Sequence, residues 1–271
     1  QNAGKTSILR VLTREFDILS HLKPTIKVER TFLDILGKEL LVWDYGGQEK
    51  YREQYLESPE RYFNEINTIF YVLDIQDPSL LGSNIMYFDG LYKRIEKYSP
   101  DAQFVMLFHK LDPDLELPEN AIQLQNKFLD AVKHHFEGGI DAIESYRTSI
   151  YNPITIVKAF SQALISKEQI RKNVSEILES FSKKYDLKFA SALTENFFEL
   201  GFYISPDFEE NYPDTYAEIF NDINKNLENW LDPNTKPKQQ FGSIGVLTEI
   251  FAIQTPDSKI PLFTTIGFGS D

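Results

Sequence analysis

The chain has 271 residues with 41 acidic and 28 basic side chains, and its net charge of −13 disfavours broad binding to nucleic-acid phosphates. It contains no cysteine, which excludes disulfides, thiolate metal sites and a cysteine nucleophile. No apolar run approaches the ~20 residues that a transmembrane helix needs, so no membrane-spanning segment is predicted.

Strand and helix signals alternate over the first 150 residues, a pattern typical of a mostly parallel sheet with helices on both faces. Two apolar runs, over 68–74 and 103–108, are continuous, as in strands covered on both sides. Helical spacing of apolar residues follows these runs, over 80–98 and 121–136. The predicted strands cover residues 31–36, 39–44, 68–74, 103–108 and 143–148. We therefore expect an α/β domain.

The order of the predicted helices and strands changes after residue 150. Asn152 and Pro153 have the residue types of a helix N-cap and first turn, and a second helical stretch covers 170–181. Beyond these, the predicted elements are strands over 189–193 and 197–204, a helix over 216–231, and strands over 244–254 and 261–267. This order suggests a smaller α+β domain, and we divide the chain into domains of residues 1–166 and 167–271.

Near the start, Gly4, Lys5, Thr6 and Ser7 precede a predicted helix over 8–19 and match the end of a phosphate-binding loop. In such a loop the glycine lets backbone N–H groups approach phosphate oxygens, the lysine neutralises charge and the hydroxyl binds Mg²⁺. A bare Gly-Lys-Thr is also common by chance, and the first glycine of the full motif is not in the sequence.

Asp44 ends the second predicted strand and is followed closely by Gly47 and Gln48. At such a strand end an aspartate holds Mg²⁺ through water, a glycine offers its N–H to a terminal phosphate, and a glutamine orients water. Thr25 lies between this strand and the lysine loop, where a hydroxyl would complete the Mg²⁺ shell. Taken alone, the Gly-Gly pair is as typical of a simple turn as of a phosphate site. The threonine alone is more typical of an ordinary loop.

Polar residues also follow the last two strands of the predicted sheet, where ligands of open parallel sheets bind. Asp112, at the end of the run H-K-L-D, has two carboxylate oxygens that suit the N1–H and N2–H donors of guanine. Ser149, in the run T-S-I, would bring a backbone N–H near the guanine oxygen. A solvated polar strand end is the alternative interpretation.

Together, G-K-T, the intervening threonine, W-D-Y-G-G-Q-E, H-K-L-D and T-S-I resemble the small GTPase superfamily. Three features resemble its Rag/Gtr branch. They are the motif variants D-x-G-G-Q and H-K-x-D and the C-terminal α+β extension. The resemblance covers nearly the whole chain, with specific motifs over residues 1–150. It implies a P-loop GTPase domain followed by a roadblock/longin-like dimerisation domain, with GTP or GDP and Mg²⁺ as ligands.

The resemblance also implies roles for individual residues. Gln48 would be catalytic by positioning the attacking water, while Thr6, Thr25 and, through water, Asp44 would bind Mg²⁺. His109 departs from the asparagine of most GTPases, agrees with the Rag pattern, and would tether loops rather than contact the base. The implied nucleotide-binding residues are Asn2, Ala3, Gly4, Lys5, Thr6, Ser7, Thr25, Gly47, His109, Lys110, Asp112, Ser149 and Ile150.

The first strand and the first phosphate-loop glycine of the resembled family have no counterpart in this sequence. That strand lies in the middle of the sheet in such folds. We therefore expect about ten further residues in the natural protein, or another segment that completes the sheet.

Two groups of polar residues resemble metal sites only superficially. His134 and His135 lack a carboxylate or third histidine at ligand spacing, so we interpret them as part of a helix surface. The acidic residues between 112 and 119 lack the glycine and terminal glutamate of a calcium loop, and a solvated loop is the simpler interpretation.

The sequence thus predicts a guanine-nucleotide-dependent switch. Its hydrolysis is expected to be slow, because no arginine is placed as an internal finger and Arg52 is expected in a surface ion pair. The expected partners are a second Rag/Gtr-like chain, identical or different, and activating and exchange factors, but no nucleic acid. We expect a cytoplasmic protein, peripheral to a membrane only through partners. The alternatives are an inert nucleotide-binding scaffold and a monomeric Arf-like GTPase.

Overall fold

The computed structural model of the chain describes residues 2–15, 22–35, 38–114, 118–165, 169–194, 198–209, 239–243, 246–253 and 262–269. The chain divides into two compact units, the first made of residues 1–33 and 40–159 and the second of residues 34–39 and 160–271.

The strands of the first half of the chain form two sheets. β1 (Val28–Ile35) and β2 (Lys38–Tyr45) pair as a two-stranded sheet. β3 (Thr68–Asp74), β4 (Gln103–His109) and β5 (Glu144–Thr148) form a parallel sheet with β4 in the centre. Every strand predicted in this half is present, and the expected α/β class is confirmed.

Helices precede, connect and follow these strands. They are α1 (Lys5–Leu12), α2 (Glu49–Glu57), α3 (Pro59–Tyr62), α4 (Leu81–Tyr98), α5 (Pro118–Val132) and α6 (Pro153–Ile165). α4 links β3 to β4 and α5 links β4 to β5, because parallel neighbours need a long crossover. Single 3₁₀ turns lie at Pro78–Leu80, Lys133–His135 and Gly139–Ala142. Across the described residues, no helix combines the length and apolarity needed to cross a bilayer.

Three helix predictions need correction. The helix expected over 8–19 begins at Lys5 and ends at Leu12, because Arg14 adopts a left-handed backbone with φ of 62°. Residues 16–19 of that prediction lie outside the described residues. The helix expected over 121–136 ends at Val132 and continues as a 3₁₀ turn. α2 was not predicted, because its sequence is mostly polar and buries only Tyr51 and Tyr55.

The core of the first unit is built largely from aromatic rings. Phe88 of α4 packs edge-to-face on Phe128 of α5, with ring centroids 5.8 Å apart, and Tyr71 of β3 stacks on Phe128 at the same distance. From Val105 to Phe108, every residue of β4 is fully buried. This burial on both faces explains why the strand is continuously apolar.

The second unit contains α7 (Gln169–Tyr185) and an antiparallel sheet of five strands. The strands are β6 (Leu187–Leu193), β7 (Glu199–Ile204), β8 (Gln239–Ser243), β9 (Val246–Ile253) and β10 (Leu262–Gly269). They are ordered β7-β6-β10-β9-β8. β8 was not predicted, whereas β9 and β10 match the strands expected over 244–254 and 261–267. The helix predicted over 216–231 lies outside the described residues.

A close approach and a buried ion pair fix α7 on its sheet. A Cβ atom at Gly201 of β7 would lie 2.7 Å from Val174 Cγ1 and 2.9 Å from the backbone nitrogen of Ser175, so only glycine allows this contact. Arg171 Nη2 lies 3.1 Å from Glu199 Oε1, and both side chains are almost inaccessible to solvent. The glycine and the ion pair therefore position the helix against β7.

Candidate functional site

Three polar residues lie side by side at the carboxyl edge of the parallel sheet. The register pairs Asp74 of β3 with His109 of β4, and His109 with Thr148 of β5. Loops that leave this edge carry the predicted base-binding residues, and ligands of open parallel sheets bind at this edge. The topology therefore brings motifs that are distant in sequence to one end of the sheet.

Gly4 lies immediately before α1 and contacts His109. Its backbone is left-handed, with φ of 84°, and a Cβ atom there would lie 2.5 Å from His109 Cδ2. Both observations require glycine at this position. The residues of the predicted phosphate loop thus pack directly on the imidazole at the end of β4.

His109 is buried, with 1% of its surface exposed. Its Nδ1 lies 2.9 Å from the Thr148 hydroxyl. Burial lowers the pKa of the imidazole to about 4, against the opposing effect of Asp112. The ring is therefore neutral near pH 7, and it joins the loop of Gly4 to the end of β5.

Thr6, Thr25 and Asp44 form a cluster of oxygen atoms at the first turn of α1. The Thr6 hydroxyl donates to Asp44 Oδ2 at 2.5 Å, and the Thr25 hydroxyl donates to the same oxygen at 3.0 Å. The two hydroxyl oxygens are 2.8 Å apart. Asp44 Oδ1 is buried and has no hydrogen-bond partner among the described residues. Two hydroxyls and an unsatisfied carboxylate oxygen fit a hard divalent cation.

Lys5 lies beside this cluster, at the N-terminus of α1. Burial lowers the pKa of its ammonium, while the charge of Asp44 opposes that shift. A buried cation at a helix N-terminus gains from an anionic ligand, since the ligand replaces the lost hydration. The local electrostatics therefore favour a phosphate group at this position.

The loop of Thr25 and the turn after β2 pack against each other. The Gly46 N–H donates to the Lys27 carbonyl at 2.7 Å, and a Cβ atom at Gly46 would lie 2.8 Å from the Thr25 carbonyl oxygen. The Tyr55 hydroxyl donates to the same Lys27 carbonyl at 2.7 Å. The segment of Thr25–Lys27 and the turn that begins at Gly46 are therefore in direct contact.

Gln48 lies at the N-cap of α2, directly after Gly47. Its carbonyl accepts the N–H groups of Tyr51 and Arg52 at 3.0 and 3.1 Å. Arg52 donates to Asn84 at 3.3 Å and lies 4.8 Å above the Tyr87 ring, so it packs on α4. The backbone of Gln48 is thus fixed by the first turn of α2, which begins shortly after the Gly46–Lys27 hydrogen bond.

The predicted base-binding residues meet in a network around Asp112. The Ser149 hydroxyl donates to Asp112 Oδ1 at 2.5 Å, and Gln76 Nε2 donates to Oδ2 at 3.1 Å. Gln76 also donates to the Lys110 carbonyl at 2.7 Å, while the Lys110 ammonium forms an ion pair with Asp74. No sequence motif pointed to Gln76; only the parallel register places it beside Asp112.

The remaining predicted residues lie near these groups with different exposures. Asn2 is exposed, Ala3 is buried, and Ser7 is on the first turn of α1. The Ser149 N–H, expected to face guanine, donates to the Thr155 hydroxyl at 3.1 Å. Ile150 is half-buried in the turn that follows Ser149.

A cleft of about 250 Å³ opens beside the oxygen cluster. Its walls come from α1, β1 and the end of β2. The lining residues are Thr6, Leu9, Arg10, Thr13, Glu29, Arg30, Thr31 and Asp44. No motif in the sequence indicates this cleft, because its residues belong to segments that only the fold brings together.

The conserved region of the Gtr1/RagA G proteins matches residues 1–201 of this chain. The chain belongs to the Gtr1/RagA family. The match runs from the predicted phosphate loop through the oxygen cluster and the hydrogen-bond network around Asp112 to β7. It confirms the Rag/Gtr resemblance that the motifs indicated.

Several curated Gtr1/RagA relatives are similar to the chain. GTP-binding protein GTR1 of Saccharomyces cerevisiae is 29% identical over 67% of this chain and 59% of its own length. Ras-related GTP-binding protein A of Dictyostelium discoideum is 27% identical over 67% of this chain and 60% of its own length. The matched part thus spans about three fifths of these relatives.

Among solved structures, the small GTPase Arl6 of Trypanosoma brucei, with a bound nucleotide analogue, overlaps 59% of this chain and 88% of its own chain. The TM-score is 0.42 and the sequence identity 18%.

Proposed function

We propose that this chain is a switch that binds GTP or GDP with Mg²⁺ and hydrolyses GTP slowly. The observation that carries the proposal is the convergence of Thr6, Thr25 and Asp44 beside Lys5. Membership of a family whose curated relatives are described as GTP-binding proteins supports it. Gly4, at the start of the proposed phosphate loop, packs on His109, which directly precedes the proposed base-binding residues Lys110 and Asp112.

Thr6, Thr25 and, through water, Asp44 would hold the Mg²⁺ ion. The ion would neutralise charge on the β- and γ-phosphates when bound. Lys5 would contact the same phosphates, and backbone N–H groups of the turn at residues 2–7 would surround them. The unsatisfied Asp44 Oδ1 is the atom that a metal-bound water would satisfy.

Asp112 would recognise guanine with the two carboxylate oxygens. Each oxygen accepts one hydrogen bond from the protein, from Ser149 and from Gln76. A carboxylate offers about four lone-pair sites, so it is able to accept the N1–H and N2–H of guanine as well. Lys110 would complete the base site, with its side chain held by Asp74.

Gln48 would orient the water that attacks the γ-phosphate. The described part of the first unit has no arginine in contact with the oxygen cluster through a hydrogen bond or ion pair, and Arg52 is engaged with α4. GTPases without such an arginine hydrolyse slowly and gain about 10³–10⁵-fold from one that a partner supplies. We therefore propose that an activating protein accelerates hydrolysis.

The contact between Thr25–Lys27 and Gly46 would couple these two segments to the presence of the γ-phosphate. With a γ-phosphate bound, Thr25 would bind Mg²⁺ and Gly47 would donate to the phosphate. Because the two segments share the Gly46–Lys27 hydrogen bond, loss of the phosphate would release both. An effector that reads either segment would then distinguish GTP from GDP.

The C-terminal domain, proposed to cover residues 167–271, would pair with a second Gtr1/Rag-like chain as a roadblock/longin-like module. Its antiparallel sheet and α7 give it the α+β composition expected for that role. Exchange factors would reload the nucleotide-binding domain, proposed to cover residues 1–166. We propose a cytoplasmic location, with any membrane contact made through partners.

The base assignment is tested by Asp112→Asn. The amide oxygen still accepts N1–H, but the amide NH2 faces the N2–H donor and the negative charge is gone, so GDP affinity should fall about 100-fold. Xanthosine diphosphate affinity should rise, because the asparagine amide donates to the xanthine carbonyl. Competition against fluorescent GDP measures both effects.

Asp114→Asn is the matched control, since this exposed carboxylate lies two residues further along the loop. It should leave both affinities unchanged. Equal affinities of the unmutated protein for ADP and GDP would overturn the proposed function.

A further inference from the structure

Two histidines and an aspartate meet on the first unit, away from the proposed nucleotide site. Asp89 belongs to α4, while His134 and His135 form the 3₁₀ turn that follows α5. One ligand atom from each residue lies within 4.8 Å of the other two. The sequence interpretation of a plain helix surface missed Asp89, which is 45 positions before His134.

His135 is held firmly within this cluster. Its Nε2 lies 2.7 Å from Asp89 Oδ1, and its side chain is only 9% exposed. The ring stacks on Tyr92, with centroids 4.4 Å apart, and the Tyr92 hydroxyl donates to the His135 carbonyl at 2.6 Å. The direction of Nε2 is therefore fixed by packing.

The hydrogen bond of His134 determines which of its ring nitrogens is able to bind a metal ion. Its Nδ1 lies 2.9 Å from the Ala131 carbonyl oxygen, which only accepts hydrogen bonds. Nδ1 therefore carries the proton, and Nε2 keeps its lone pair. Metal-binding histidines commonly donate their second N–H to a backbone carbonyl in this way.

The cluster lies at the opposite edge of the sheet from the nucleotide-binding residues. α5 begins near the carboxyl end of β4 and returns toward the amino end of the parallel strand β5. Its C-terminal turn, with His134 and His135, is therefore near the amino edge. An ion at this position would be independent of the Thr6–Thr25–Asp44 cluster.

We propose that Asp89, His134 and His135 bind a divalent transition-metal ion of the zinc class. Two imidazole nitrogens and one carboxylate oxygen form a donor set typical of Zn²⁺, and water would fill the fourth position. The donors favour such an ion over Mg²⁺ or Ca²⁺, which prefer oxygen ligands.

Binding requires the three side chains to shift. Ligands at about 2.0–2.1 Å in tetrahedral geometry are about 3.3 Å apart, so the His135–Asp89 separation of 2.7 Å must open by about 0.6 Å. The separations from His134, which are within 4.8 Å, must close by up to about 1.5 Å. The Nε2 proton of His135 moves to Nδ1 or to solvent. The neighbouring Lys133 ammonium is engaged by Asp130 at 2.6 Å. The ion would link α4, through Asp89, to the turn after α5.

Zinc titration of the full chain, in buffer containing excess Mg²⁺, tests the proposal. One Zn²⁺ per chain should bind, and the thermal midpoint should rise by about 5 °C at a hundredfold excess over Kd. Asp89→Asn and His134→Ala should each weaken binding at least tenfold. With Co²⁺ in place of Zn²⁺, a visible absorption band of a tetrahedral nitrogen–oxygen site should appear.

Glu119→Gln is the matched control, an exposed carboxylate at the other end of α5 and about 20 Å from the histidines along the helix. It should bind Zn²⁺ like the unmutated chain. Thr6→Ala should do so as well, because it alters only the phosphate loop.

Three results would overturn the proposal. These are no Zn²⁺ uptake, uptake that Asp89→Asn and His134→Ala leave unchanged, or uptake that Thr6→Ala abolishes. Metal-free melting of each variant shows whether it folds, and His134 is exposed enough that its replacement leaves the core intact. Because Zn²⁺ uptake is measured without nucleotide, its failure would not bear on the proposed switch.

Discussion

The contact between Gly4 and His109 shows how one residue pair constrains two loops. The glycine has the backbone that an L side chain rarely adopts, and the imidazole occupies the space where a Cβ atom would lie. His109 in turn contacts the Thr148 hydroxyl at the end of β5. A neutral, buried histidine thus fills the space between the predicted phosphate loop and the end of β5.

The buried His109 makes stability depend on pH. Its pKa is about 4 in the folded protein and 6.5 ordinarily, so between these values the unfolded chain binds a proton that the folded chain does not. The contribution of His109 to the free energy of unfolding is fully present above about pH 7. It falls by about 2 kcal/mol on acidification to about pH 4.5. Urea unfolding of the chain and of His109→Asn at both pH values measures the difference; equal pH dependence in the two would contradict the assignment.

At the residue scale, sequence motifs located most of the candidate site but not its supporting contacts. Thr6, Thr25 and Asp44 were predicted to share a cation, and the structure brings their oxygens within 3.0 Å. Gln76 and Asp89 were not singled out, because each acquires its partner only through the packing of distant segments. A single glutamine or aspartate carries no periodic or motif signal.

At the scale of elements, burial determined what was predictable. β3 and β4 were predicted within one residue, because strands covered on both faces are continuously apolar. α2 was missed, because tyrosines at its buried positions are surrounded by charged residues. The end of α1 was missed because it depends on the left-handed backbone of Arg14, a residue type with no such preference.

The packing of α7 on β7 predicts a large effect of a single methyl group. Gly201→Ala would place a Cβ atom 2.9 Å from the backbone of Ser175, which cannot move without the helix. We expect a loss of about 2 kcal/mol in the stability of the second unit, as for overpacked cores. Gly82→Ala is the control: Gly82 is exposed and a Cβ atom there meets nothing within 4 Å, so the stability of α4 should be unchanged or slightly higher. Chemical unfolding of both variants measures the effect, and equal stability would contradict the contact.

The charge of the whole molecule bears on its proposed pairing. A net charge of −13 means that two identical chains repel each other, whereas a less acidic partner would be repelled less. Salt screens such repulsion over about 10 Å at 0.1 M ionic strength. The electrostatics therefore favour a partner of different charge over a second identical chain at low salt.

Light scattering across salt concentrations tests this pairing. If the chain pairs with itself, the measured mass should rise from 31.5 kDa toward twice that value as salt is raised from 0.02 to about 0.3 M. If it requires a different partner, the mass should stay at 31.5 kDa until that partner is added. A mass unaffected by salt, by concentration and by any Gtr1/Rag-like partner would support the monomeric alternative.

The Gly4–His109 contact also has a kinetic consequence. Lys110 and Asp112 follow directly after this histidine, so a displacement of their segment that moved His109 would also change the space occupied beside Gly4. A partner that binds only the proposed base-binding segment would in this way also perturb the proposed phosphate loop, although the two segments are distant in sequence.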